Sequence, residues 1–142
     1  MVRYLLDTNV VSEPVKAAPD EGVMQKLQEH EAEIATGAPV WHELCFGCAR
    51  LPASRKRRML EAFLDTVVRP RIPIVPYDES AAAVHARERA RLAALGKMPS
   101  FVDGQIAAIA CVSSLVLVTR NASDFREFRD LVVECWHTGI SR

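Results

Sequence analysis

Apolar residues in this chain fall in short runs that alternate with longer stretches of helical spacing. The first run, Val2 to Leu6, ends abruptly in Asp7-Thr8-Asn9, the pattern of a buried strand that delivers polar groups at its carboxyl end. Residues Gly22 to Glu31 then place Val23, Met24 and Leu27 on one face of a helix behind the capping residue Asp20. Glu33 to Thr36 reads as a second strand. After the turn Gly37-Ala38-Pro39, Val40 to Arg50 reads as a helix carrying Glu43 in its opening turns, and Pro52 ends it. Ser54 caps a longer helix to about Val68, with Met59, Leu60, Phe63, Leu64 and Val67 inward and Arg55 to Arg58 outward.

Ile72 to Val75, interrupted by Pro73, supports only a short strand. Asp78 or Ser80 starts a helix to Leu95 that Gly96 closes, and Ser100 caps another over Phe101 to Ser113. Leu115 to Thr119 is the clearest buried strand; a helical turn over Asn121 to Phe128 and a last strand, Leu131 to Cys135, follow it. Strands alternating with helices predict an α/β fold. The expected form is one compact domain over residues 1–142, its central, mostly parallel β-sheet flanked by helices. Ligands of such sheets bind beyond the carboxyl ends of the strands, where Asp7 and Thr119-Arg120-Asn121 both fall.

Composition narrows the class. With 142 residues and 49% apolar content the chain has material for one core and little for a second. No run approaches the ~18 apolar residues of a membrane span. Met-Val-Arg-Tyr-Leu-Leu-Asp meets an acid too early for a secretory signal, so a soluble cytoplasmic protein is expected. Cys45 and Cys48 have C-x-x-C spacing, but no second pair completes a metal site, and the four cysteines are read as reduced packing residues. The histidines likewise show no ligand spacing.

A net charge of zero conceals an uneven distribution. Between Arg50 and Lys97 there are 11 Lys/Arg against 5 Asp/Glu, leaving 7 against 13 elsewhere. A basic segment on an otherwise acidic chain suits a phosphate backbone or an acidic protein equally well.

The acids carry the chemistry. Asp7 directly follows a buried strand, where capping of the next helix or metal ligation are the two roles open to it. Asp103 lies in the first turn of its helix, a position that favours an anion, with Ile106 and Ala107 of the apolar face three and four residues on. Glu43 repeats the arrangement between Val40 and Leu44. Converging carboxylates raise one another's pKa and call for a divalent cation. An all-oxygen set suits Mg²⁺ or Mn²⁺, and such a site suits phosphodiester hydrolysis by an activated water.

Four motifs now become recognisable in order. Tyr4-Leu5-Leu6-Asp7-Thr8-Asn9-Val10-Val11-Ser12-Glu13, Glu43-Leu44-Cys45-Phe46-Gly47, Asp103-Gly104-Gln105-Ile106-Ala107-Ala108 and Thr119-Arg120-Asn121-Ala122-Ser123-Asp124-Phe125 together resemble PIN-domain ribonucleases of the VapC toxin type. The resemblance implies a PIN fold and endonucleolytic cleavage of RNA. It also implies a magnesium site made by Asp7, Glu43, Asp103 and Asp124. Many PIN domains have an acid where this chain has Asn121, so Asp124 takes the fourth place. Thr119 and Asn121 would hold waters or a phosphate, and Asn9 and Ser12 would orient Asp7. A homodimer and a small VapB-type antitoxin partner are implied as well, without any membrane association.

Three other readings compete. An aspartate-nucleophile phosphatase needs D-x-D where this chain has Asn9, and a phosphoacceptor domain wants a lysine after its last long strand, where Thr119-Arg120-Asn121 stands. A catalytically silent PIN-fold binding module would not require acids at all four motif positions. The run Arg55-Lys56-Arg57-Arg58 fits RNA phosphates, acidic antitoxin residues or plain solvation of a helix face.

Overall fold

Five short parallel strands lie in the order β3-β2-β1-β4-β5. The structure, a computed structural model, describes residues 1–138. Strand β1 (Tyr4–Leu6) is buried along its whole length, with β2 (Ile34–Gly37) and β4 (Val116–Val118) paired to it through Leu5↔Ala35 and Leu5↔Leu117. The edges are β3 (Ile74–Val75) and β5 (Val133–Glu134). A strand covered on both faces must be apolar throughout, which is why these segments read as continuous runs.

The helices follow their caps. Asp7 accepts from the Thr8 N–H at 2.8 Å to open α1 (Thr8–Val11), and Asp20 accepts from the Val23 N–H to open α2 (Glu21–Glu29). Gly37 and Pro39 introduce α3 (Ala38–Ala49), and Ser54 accepts from Arg57 at the start of α4 (Arg55–Phe63). Of the two possible caps for α6 (Glu79–Ala94) the structure uses Asp78, and Gly96, at φ +69°, closes it. Ser100 accepts from the Asp103 N–H to open α7 (Phe101–Val112).

The segment expected as one helix to Val68 differs in detail. A π-helical turn, Leu64–Val68, intervenes before the short α5 (Arg69–Arg71). Its extra residue rotates the inward face, so Leu64 and Val68 are buried while Val67 turns partly out. Met59, also expected inside, is half exposed, and Met24 of α2 is partly so. Arg57, expected outside, is drawn in and donates to the Leu51 carbonyl at 2.8 Å and to Glu61 at 3.2 Å.

Helices α6 and α7 pack closely because Gly104 has no side chain. The imidazole of His85 lies against Gly104, and a Cβ there would collide with it. His85 is fixed by a 2.7 Å hydrogen bond between Nδ1 and the Tyr77 hydroxyl and by edge contact with Phe101. Burial, with the nearby charge of Arg89, lowers its pKa and so favours the neutral ring. The start of α7, where Asp103 sits, is held in place by this contact.

A second lock closes the other side. Glu88 of α6 accepts from the Arg91 guanidinium, from the Arg129 N–H at 2.8 Å and from the Arg129 guanidinium, while Arg91 also donates to the Glu127 carbonyl. These bonds anchor the segment after β4. At the carboxyl end of the described chain, the buried Glu13 accepts from the Asp20 N–H and pairs with Lys16 and His137. Trp136 is buried against Tyr4 and His30, so it is a packing residue. No described helix is long and apolar enough to cross a membrane.

Candidate active site

The parallel order places the carboxyl ends of β1 and β4 side by side, and both continue directly into acidic motifs. The Asp7 N–H donates to the Val118 carbonyl at 2.9 Å, which carries the β1–β4 ladder one residue past the strand. One carboxylate oxygen of Asp7 is then occupied by the Thr8 N–H, and the other accepts from the Thr119 hydroxyl at 2.8 Å. Thr119, wholly buried, in turn accepts from the Asn121 N–H at 3.1 Å. Asp7 is thus 8% exposed and held at both oxygens.

Asp103 approaches from the first turn of α7 and Asp124 from the 3₁₀ turn Ala122–Phe125 after β4. Burial raises the pKa of Asp7 above the ordinary carboxylate range, and the Asp124 charge adds to the rise. Burial likewise raises Asp103, helped by the charges of Asp7 and Asp124. The fold sets these three acids, from separate motifs, near enough for their like charges to oppose one another's ionisation.

Glu43 stands apart from this group. It is exposed on α3 and lines a neighbouring cavity together with Thr8 and Ser12, the residues that follow Asp7. Of the four expected site acids, Asp7, Asp103 and Asp124 thus bear on one another electrostatically, and Glu43 lies on the wall of the neighbouring cavity. Among the described residues no three His, Cys, Asp or Glu side chains are drawn together as tightly as a metal site. The donors these acids offer are all oxygens, the ligand type that a hard divalent cation takes.

The surrounding polar residues have distinct tasks. Thr119 bonds Asp7 directly. Asn9 instead accepts from the Arg120 N–H at 3.0 Å, tying α1 to the loop that leads to Asp124, and the Ser12 hydroxyl donates to the Thr8 carbonyl at 2.8 Å. Asn121 contributes its backbone rather than a side-chain cap. Thr36 donates to the Leu6 carbonyl at 2.7 Å and steadies the strand end before Asp7. Thr36 was not apparent from the sequence, although a polar residue ending an apolar strand beside β1 was a usable signal. Cys45 and Cys48 are free thiols, and burial raises the pKa of Cys45, in keeping with an inert residue.

A parallel α/β sheet with acids at its central strand ends defines a class of hydrolytic or phosphate-handling folds. Within that class, the match to the PIN domain over residues 4–131 shows that this chain belongs to the PIN-domain family. Toxin FitB of Neisseria gonorrhoeae is 35% identical over 94% of this chain and 98% of its own length. VapC ribonuclease Y4jK of Sinorhizobium fredii is 32% identical over 93% and 96%. Among solved structures, FitAB bound to an IR36 DNA fragment superposes with a TM-score of 0.86 at 31% identity, covering 98% of this chain and 99% of the other.

Proposed function

We propose that this chain is a metal-dependent endoribonuclease and the toxin of a toxin–antitoxin pair. The single observation that carries the catalytic reading is the placement of Asp7 at the end of β1, tied to the end of β4 through Thr119, with Asp103 in the first turn of α7 and Asp124 in the turn after β4. The relatives' names supply the substrate class: they include ribonucleases and tRNA-specific endonucleases.

In this reading Asp7 and Asp103 are the principal ligands of Mg²⁺ or Mn²⁺, and Asp124 and Glu43 complete the acidic surround. Held there, such a cation would supply charge neutralisation of the phosphate and acidification of a water. Asp7 is pre-oriented by Thr119 and Thr8, so its carboxylate needs no rearrangement to ligate. A free carboxylate of the group, Asp124 or Glu43, accepts the proton of the attacking water. Asn9 and Asn121 keep the last motif in register with the first.

The antitoxin in this reading would cover an apolar surface. An apolar groove of about 640 Å³ runs between α2 and residues 63–72, lined by Val11, Met24, Leu27, Phe63, Val67 and Ile72. Solved structures that superpose on this chain include toxin–antitoxin complexes, VapBC from Salmonella typhimurium among them; an apolar groove of this kind suits the apolar face of an amphipathic partner helix. The proposal includes a homodimer, as the resemblance implies.

The chain purified free of any antitoxin is expected to cleave structured RNA in Mg²⁺ or Mn²⁺ and to stop in EDTA. Cleavage that continues unchanged in EDTA, or none in either metal, removes the reading.

A further inference from the structure

The basic run Arg55 to Arg58 does not act as a unit. Arg57 staples the α3–α4 turn through Leu51 and Glu61, and Arg55 and Arg58 are exposed on α4. Lys56 is different. It lines a cavity of about 280 Å³ whose wall also includes Thr8, Ser12, Glu43 and Arg50. At one end of that cavity stand Thr8, the residue after Asp7, and Glu43; it also holds two cations that have no ion-pair partner among the described residues. Arg50 is held with its guanidinium 5.7 Å from the centre of the Phe46 ring, which limits its range.

We infer that Arg50 and Lys56 form a phosphate-binding subsite for the RNA strand next to the scissile bond, a role that rests on the ribonuclease reading above. An acidic centre repels a polyanion, so cations within reach of the neighbouring phosphates are needed to hold the strand there. A chain with regularly repeated phosphates places one group at the acids and another at the cations of the same cavity. A protein carboxylate has no reason to engage both ends. The contact is to the backbone, so it sets affinity and register without reading sequence.

Salt dependence tests this directly. Binding of a short single-stranded RNA is measured by fluorescence anisotropy in EDTA, where hydrolysis is excluded, between about 50 and 200 mM salt. Each lost phosphate contact lowers the slope of log K against log salt by roughly 0.7. From the lower to the higher salt the Arg50→Ala/Lys56→Ala pair is expected to lose about sevenfold less affinity than the parent, equally on every RNA sequence. Arg55→Ala and Arg58→Ala are expected to change the slope much less. Equal effects from all four cations, or an unchanged slope in the double variant, overturn the subsite, as does a parent that does not bind RNA. A parent that binds RNA with this slope pattern yet never cleaves it with metal overturns the ribonuclease reading and leaves the subsite standing.

Discussion

Asp103→Asn is expected to lower RNA cleavage on the order of 10³-fold, while the protein melts at or above the parent's temperature. Loss of one metal-binding charge removes several kcal/mol of transition-state stabilisation, which sets the size of the kinetic effect. Stability moves the other way because of the pKa direction. Asp103 is raised in the folded protein by burial and by the charges of Asp7 and Asp124. A carboxyl raised on folding costs stability above its folded pKa, and the cost fades as pH falls toward the unfolded value. Asn carries no such cost at neutral pH. Cleavage assays and thermal denaturation on one preparation check both halves, and retained activity or a large drop in melting temperature contradicts the placement of Asp103. A gain in stability with loss of activity is the usual signature of a strained functional site.

Glu88→Ala should cost about 3 kcal/mol at neutral pH. The carboxylate is lowered from 4.5 to about 2, chiefly by the Arg91 side chain and then by the backbone and guanidinium of Arg129. That drop corresponds to about 3 kcal/mol of linkage, or roughly 10 °C in melting temperature for a chain of this length. A depressed carboxyl contributes stability above its unfolded pKa and loses it as pH falls from 4.5 toward 2, so the gap between parent and variant should close over that window. Chemical denaturation at pH 7 and pH 3 measures it. Equal losses at both pH values would show that Glu88 acts through packing alone.

The fold was legible in the sequence wherever one physical signal ruled. Leu5 and Leu117 stand in strands buried on both faces, and the caps Asp20, Ser54 and Ser100 each form the predicted bond. The π turn at Leu64 was not legible, since periodicity presumes one hydrogen-bonding pattern and therefore put Val67 inside. At the site, Asp7 and Asp103 were readable from strand and helix ends. The bond from Thr119 to Asp7 spans 112 positions, and the Glu88–Arg129 lock spans 41, so neither could be inferred from local spacing. Glu43 shows the converse: its motif was recognised, and only the fold places it at the rim of a cavity that also holds Arg50 and Lys56.

Binding of Mn²⁺, followed by electron paramagnetic resonance, bears most directly on the claim that these acids form a metal site. The account predicts saturable binding to the purified chain that Asp7→Asn/Asp103→Asn eliminates while circular dichroism stays unchanged. Binding of equal strength in the folded double variant would contradict it.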